Sequence, residues 1–296
     1  MKKLILFLII LTINFSAKAE CSSSGINVWP SQQYISTNSI FVIEGYAQSQ
    51  ELIIQLNKKN NIYLSCNSER IPIKVLRILN GQYRLTQAVL RPEKELQIGK
   101  TYELHIDNLG IFDIDEYKVV KWTVTSERDK EKPIWNCEPT FKNESFTAFG
   151  CGPAMYVNFY GAYNDQSPTL IYAKVFDKKN KTSSDYFLSS DNQKISLGHG
   201  MCSGEFSFDK EINYEVQFGL LDASGNENLT LTKPITFKRP TEKKQSEKEF
   251  SSNSSANTVL NAETNNESKI LIYSFIGIGL ITIGLIIYNK RKNASD

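Results

Sequence analysis

The stretch TYELHID, residues 101–107, decides the fold of this 296-residue chain. Tyr102, Leu104 and Ile106 alternate with Glu103, His105 and Asp107, a period of two that sends apolar and polar side chains to opposite faces of a half-buried strand. Outward from it, segments rich in Ile, Val, Leu and Tyr recur about every ten residues. They are INVWP (26–30), IFVIEGYA (40–47), ELIIQL (51–56), IYLSC (62–66), IPIKVLRIL (71–79), YRLTQAVL (83–90) and KVVKWTVTS (118–126). Turn formers such as NKKNN, NSER and NGQ separate them. The second half of the chain has the same spacing of short apolar segments, in PIWNCEPTF (133–141), AMYVNFYGAY (154–163), TLIYAKVFD (169–177), DYFLSS (185–190), KISLG (194–198), GEFSFD (204–209), NYEVQFGLLD (213–222) and TKPITFKRP (232–240). No segment of 20–240 sustains a helical period. The expectation is an all-β chain of two tandem β-sandwiches, 20–126 and 127–240. The charged junction SERDKEKP (126–133) reads as a hinge between them.

The ends place the protein. Met1-Lys2-Lys3, an apolar run of about ten residues and an A-x-A pattern ending at Ala19 form a cleavable signal peptide, 1–19. Residues 241–269, rich in Ser, Asn, Glu and Lys, cannot bury enough surface to offset their ordering entropy and read as a disordered stalk. Residues 270–288 carry no charge and are long enough for one membrane-spanning helix. Asn289-Lys290-Arg291-Lys292 opens a short basic tail, 289–296, on the cytoplasmic side. The topology expected is single-pass type I in the cell membrane, with a periplasmic or extracellular ectodomain. Residues 20–268 hold 27 Lys+Arg against 31 Asp+Glu, without the basic excess that nucleic-acid binding requires, so no nucleic-acid partner is expected.

Two motifs carry a family resemblance. The succession Y-x-V-x-F-x-L-x-D-A-S-G-N from Tyr214 to Asn226 resembles the penultimate strand and closing hairpin of bacterial immunoglobulin-like and fibronectin type III-like modules. LRPEKELQIGKTYELHI (90–106) resembles the matching part of secreted bacterial immunoglobulin-like domains. The resemblance implies the sandwich architecture and leaves function open, because that fold hosts many activities.

Five cysteines in an exported chain point to disulfides with one thiol left over. Cys21 and Cys66 stand alone in the first sandwich and form the simplest pair. In the second, Cys151 with Cys202 is favoured, since both lie in glycine-flanked bends where backbones approach closely, with Cys137 to Cys151 as the alternative. Each bridge would contribute about 2–4 kcal/mol.

GHGMCSGEF (198–206) contains G-x-C-x-G, the cysteine form of a nucleophile elbow. Such an elbow needs a helix after it, and the following residues alternate like a strand. His199, Met201 and Cys202 are also a soft-metal ligand set, provided Cys202 is not bridged. Oxygen ligands occur at Asp107, Asp113, Asp115 and Glu116, with DASGNEN (222–228) as a second acidic stretch; calcium is the ion they would suit, and no other cofactor is expected. Tyr160 and Tyr163 flank Gly161 and cannot both face inward in a regular strand, which makes them candidates for binding a protein or glycan. The function expected is a non-enzymatic, membrane-anchored envelope protein that presents two immunoglobulin-like domains for adhesion, scaffolding or ligand binding. The alternative is an envelope hydrolase or metal-handling protein built on His199 and Cys202.

Overall fold

The computed structural model of the protein describes residues 24–109, 120–210 and 212–242. The signal peptide, the stalk beyond residue 242, the membrane span and the basic tail lie outside the described residues. Among those described, no helix is long and apolar enough to cross a membrane.

The first half forms β1 (Gly25–Trp29), β2 (Tyr34–Ser36), β3 (Phe41–Tyr46), a short helix α1 (Gln50–Ile54), β4 (Ile62–Cys66), β5 (Glu69–Asn80), β6 (Leu85–Pro92), β7 (Thr101–Ile106) and β8 (Lys121–Ser126). Their order is β1-β3-β6-β5-β4-β7-β8-β2. The long β5 serves both flanks: Glu69–Pro72 pairs with β4, Ile73–Asn80 with β6, and the register breaks between Val75 and Arg77. The two flanks enclose one core, in which Phe41, Ile43, Ala88 and Leu90 meet Leu64, Leu104, Trp122 and Val124. Tyr102, Leu104 and Ile106 are buried as their alternation requires. Trp122 is fully buried, lies 4.4 Å from the Phe41 ring and donates its Nε1–H to the Pro30 carbonyl at 2.9 Å.

The second half forms β9 (Ile134–Phe149), β10 (Gly152–Asn164), β11 (Thr169–Asp177), β12 (Thr182–Leu188), β13 (Ser190–Asp191), β14 (Lys194–His199), β15 (Asn213–Asp222), β16 (Glu227–Asn228) and β17 (Ile235–Lys238). One sheet runs β13-β14-β10-β9; the other runs β12-β11-β15-β16, with β17 also on β15. Phe159, Phe218 and Phe237 meet edge to face between them.

Three local expectations are corrected. ELIIQL is not a strand: Leu52, Ile53 and Leu56 are the buried residues, an i, i+1, i+4 pattern that suits the turn of α1. GEFSFD forms no strand beyond a bridge at Gly204, although Phe206 and Phe208 are buried. β9 runs on to Phe149, eight residues past the apolar segment. It lies at the edge of its sheet and is exposed along most of its length, so nothing obliges it to be apolar.

The largest departure concerns the junction. Ile40, Val42, Leu79, Leu85 and Val89 from the first sandwich belong to the same buried cluster as the core of the second. The register explains it. Trp29 faces Val42, Val42 faces Val89 and Glu44 faces Gln87 across β1, β3 and β6. These side chains lie on the face opposite Phe41, Ile43, Ala88 and Leu90, and that face packs on the second sandwich. The central strands β3 and β6 are therefore buried on both faces, like strands in a covered sheet. Polar ties cross the same seam. The Gln87 amide donates to the Phe187 carbonyl (3.1 Å) and accepts from the Phe187 N–H (3.2 Å), the Tyr186 hydroxyl donates to Glu44 Oε2 (3.0 Å), and Ile40 N–H donates to the Ala223 carbonyl (2.8 Å). The Arg77 guanidinium lies 4.9 Å from the Phe187 ring centroid.

Candidate functional site

The segment 126–133 is pinned and does not behave as the free hinge that its charge and proline suggest. Asp129 N–H donates to Asn38 Oδ1 (3.1 Å), and the Asp129 carbonyl accepts from Asn38 Nδ2 (2.8 Å). Ser167 Oγ donates to Asp129 Oδ2 at 2.8 Å. Asn38 Nδ2 also reaches the Ser224 carbonyl (3.0 Å), and the Ser36 and Ser224 hydroxyls are 2.8 Å apart. Loop residues of both sandwiches and the junction thus share one polar network.

Within it, Asp129, Asp165 and Asp222 each place a carboxylate oxygen within 4.8 Å of the others. Asp222 closes a tight turn, accepting from the Ser224 and Asn226 N–H groups and from Asn226 Nδ2, each at 2.8 Å. Burial, reinforced by the neighbouring Asp165 and Asp129 charges, pushes its carboxyl up to about 6. Burial also raises Asp165, with Asp129 adding to it. Oxygens of this kind are what a hard cation such as calcium takes, in sets of six to eight. These three aspartates are the described residues that could hold one. Neither Asp129 nor Asp165 stands out in the sequence, because 36 and 57 residues separate the members of the set and only the fold brings them together. Of the acidic residues expected first, Asp107 is tied to Asn61 through both backbone and side chain; Asp113, Asp115 and Glu116 lie outside the described residues.

The bend 198–206 is a joint between the sandwiches. Gly204 N–H donates to the Tyr83 carbonyl (2.8 Å), Tyr83 N–H donates back to Gly204 (3.2 Å), and Gln82 N–H donates to Glu205 (2.9 Å). Gly204 is required by this close approach: a Cβ there would lie 2.2 Å from His199 Cα. His199 is buried, holds the Gly200 carbonyl with Nδ1 at 2.8 Å and packs 4.9 Å from the Tyr83 ring. The Met201 carbonyl accepts from the Tyr83 hydroxyl at 3.2 Å. Cys202 is disulfide-bonded, so it offers neither a nucleophilic thiolate nor a soft ligand in this state, and no helix follows it among the described residues.

Cys66, Cys137 and Cys151 are free thiols. That corrects the expected pairings at Cys66 and at Cys151, and sets aside the Cys137–Cys151 alternative. Cys66 ends β4 with its thiol turned into the first core, and Cys151 sits in the turn between β9 and β10. Cys21 lies outside the described residues. Alkylation of the denatured, unreduced protein is expected to label Cys66, Cys137 and Cys151 but not Cys202. Peptide mapping without reduction is expected to return Cys202 in a disulfide-linked peptide, and labelling of Cys202 would contradict the assignment.

Tyr160 and Tyr163 point differently, and the register shifts between Tyr160, Ala162 and Tyr163 show why. Tyr160 is exposed, donates to Gln193 and lies 5.5 Å below the Lys142 ammonium. Tyr163 is half-buried against Trp135, with its hydroxyl on the Thr169 carbonyl and the Ser190 hydroxyl. The structure does not bring the two tyrosines into one platform.

No family model and no curated protein matches the chain. Solved structures with some similarity include pullulanase type I of Bacillus subtilis complexed with maltose, at 12% identity over 71% of this chain and TM-score 0.22. A cytokine receptor complex aligns at 8% identity over 73% of this chain and 97% of that one, with TM-score 0.23. The N-terminal Ig1-2 module of the Drosophila receptor protein tyrosine phosphatase DLAR aligns at 13% identity over 72% and 97%, with TM-score 0.21. This chain spans 27% of the pullulanase chain.

Proposed function

We propose that the protein is a non-enzymatic, membrane-anchored envelope protein whose two immunoglobulin-like sandwiches act as one rigid block, held outside the cytoplasm on the 241–269 stalk, to bind a protein or glycan. The observation that carries this reading is the shared apolar cluster through which β3 and β6 join the second sandwich. Two modules packed side by side present one fixed composite surface, and a preorganised surface binds without the ordering cost of a hinged pair. The alternative centred on His199 and Cys202 is disfavoured, because the sulfur is bridged and the imidazole is spent on a backbone carbonyl.

A glycan array and a panel of purified envelope proteins, probed with the full chain in detergent, test the reading. Saturable binding to at least one class is expected, with no hydrolysis of ester, thioester or glycoside substrates. Turnover that disappears in Cys202→Ser or His199→Ala would overturn it.

A further inference from the structure

The seam between the sandwiches is not fully packed. Between β1, β3 and β6 on one side and the 187–189 and 205 segments on the other lies a cavity of about 240 Å³. Its wall is partly apolar, with Trp29, Val42, Leu170 and Leu188, and two carboxylates line it: Glu44 from β3 and Glu205 from the bend. Glu44 accepts from Asn27 Nδ2 (3.3 Å), Gln87 Nε2 (3.3 Å) and the Tyr186 hydroxyl. Glu205 is half-buried at the seam, and its carboxyl accepts from its own backbone N–H. Among the residues that line the cavity there is no lysine, arginine or histidine. Two like charges facing a common space beside an indole, with no counter-charge, form an environment in which an added cation is stabilised twice: by the carboxylates and by the ring.

We propose that this interdomain cavity is a binding site for an aliphatic ammonium group, such as a lysine side chain or a free alkylamine, held between Glu205 and Glu44 with its chain against Trp29. The volume is below the roughly 300–1,000 Å³ of sites for drug-sized ligands, so it fits one side chain or small amine. The inference deepens the binding-module reading by naming the ligand chemistry of one site. Its failure would leave the outcome of the glycan and protein panel untouched. The titratable groups that face Glu205 are Glu44 on β3, Tyr186 on β12 and Tyr156 on β10. Burial first, and the Glu44 charge second, hold the Glu205 carboxyl near 7. Affinity is therefore expected to grow as pH rises from 6 to 8 and the carboxyl ionises.

Isothermal titration of the full chain in detergent at pH 8 tests the site with three probes: N-acetyl-lysine amide, a pentapeptide with one lysine between glycines, and the uncharged N-acetyl-norleucine amide. Lysine-bearing probes are expected to bind saturably and at least about tenfold more tightly than norleucine amide. Equal binding by amide and peptide identifies the free amine as sufficient; binding by the peptide alone identifies a lysine in a protein partner. Glu205→Gln is expected to weaken binding about tenfold or more while the melting temperature at pH 8 holds or rises. Glu44→Gln, tested in parallel, should weaken it as well. No binding by either lysine probe, equal binding by norleucine amide, or unchanged affinity in both variants overturns the proposal. So does a calcium titration that saturates the same carboxylates while both lysine probes stay silent.

Discussion

Phe187→Ala is expected to destabilise the protein by about 3–5 kcal/mol, and to do so in both sandwiches at once. Phe187 is a residue of β12, yet its backbone is paired with the Gln87 side chain of the first sandwich and its ring lies under Arg77 of β5. The ring is 2% exposed and sits 5.5 Å from that of Tyr172. Truncation removes a large apolar side chain that lines the seam cavity and enlarges a void that β3 and β6 cannot collapse into, because their other faces are fixed in the first core. Urea unfolding checks this, followed by far-UV circular dichroism and by the fluorescence of Trp122 in the first core, read in a Trp29→Phe, Trp135→Phe background because those two tryptophans pack on the other cluster. The two curves should stay superimposed and shift together. A shift in circular dichroism that leaves the fluorescence transition in place would show that the sandwiches unfold separately.

The second large effect is pH-dependent. Glu205 is held near 7 and Asp222 near 6 by burial, against ordinary values of 4.5 and 3.8. A carboxyl whose value is raised in the folded state binds its proton more tightly there than in the unfolded chain. Its stabilising contribution is complete below the unfolded value and is lost as pH rises through the folded one. Stability should therefore fall between pH 5 and pH 8, and Glu205 alone should account for roughly 2–3 kcal/mol of the loss. Glu205→Gln keeps the shape and removes the ionisation. It is expected to raise the melting temperature at pH 8 and to leave it nearly unchanged at pH 5. A variant that is destabilised at pH 8 would contradict the account. Asp222→Asn is a poorer probe, because the wild-type carboxylate accepts three hydrogen bonds at its turn.

How much of the molecule is legible in its sequence follows from which interactions are local. The alternation of 101–107 and the short apolar runs mark the strands, since period-two patterning is a property of neighbouring residues. IFVI (40–43) and AVL (88–90) do not alternate, and that is the trace of the seam: a strand with no polar face has to be covered on both sides. Glu44, following directly on such a run, marks the cavity for the same reason, being an ionisable residue on a buried face. The acidic trio is not readable, because Asp129, Asp165 and Asp222 come together only when the junction folds against two loops. Cysteine pairing is hidden for a related reason. Spacing suggests partners within each sandwich, but it does not reveal that Cys66 and Cys151 stay free thiols or that the bend carrying Cys202 packs on Gln82 and Tyr83.

The central claim is that the two sandwiches are one cooperative unit. Differential scanning calorimetry of residues 20–242 tests it most directly. The account predicts a single endotherm of about 150 kcal/mol near 60 °C, with calorimetric and van't Hoff enthalpies equal. Two resolved endotherms, each carrying about half the heat, would contradict it.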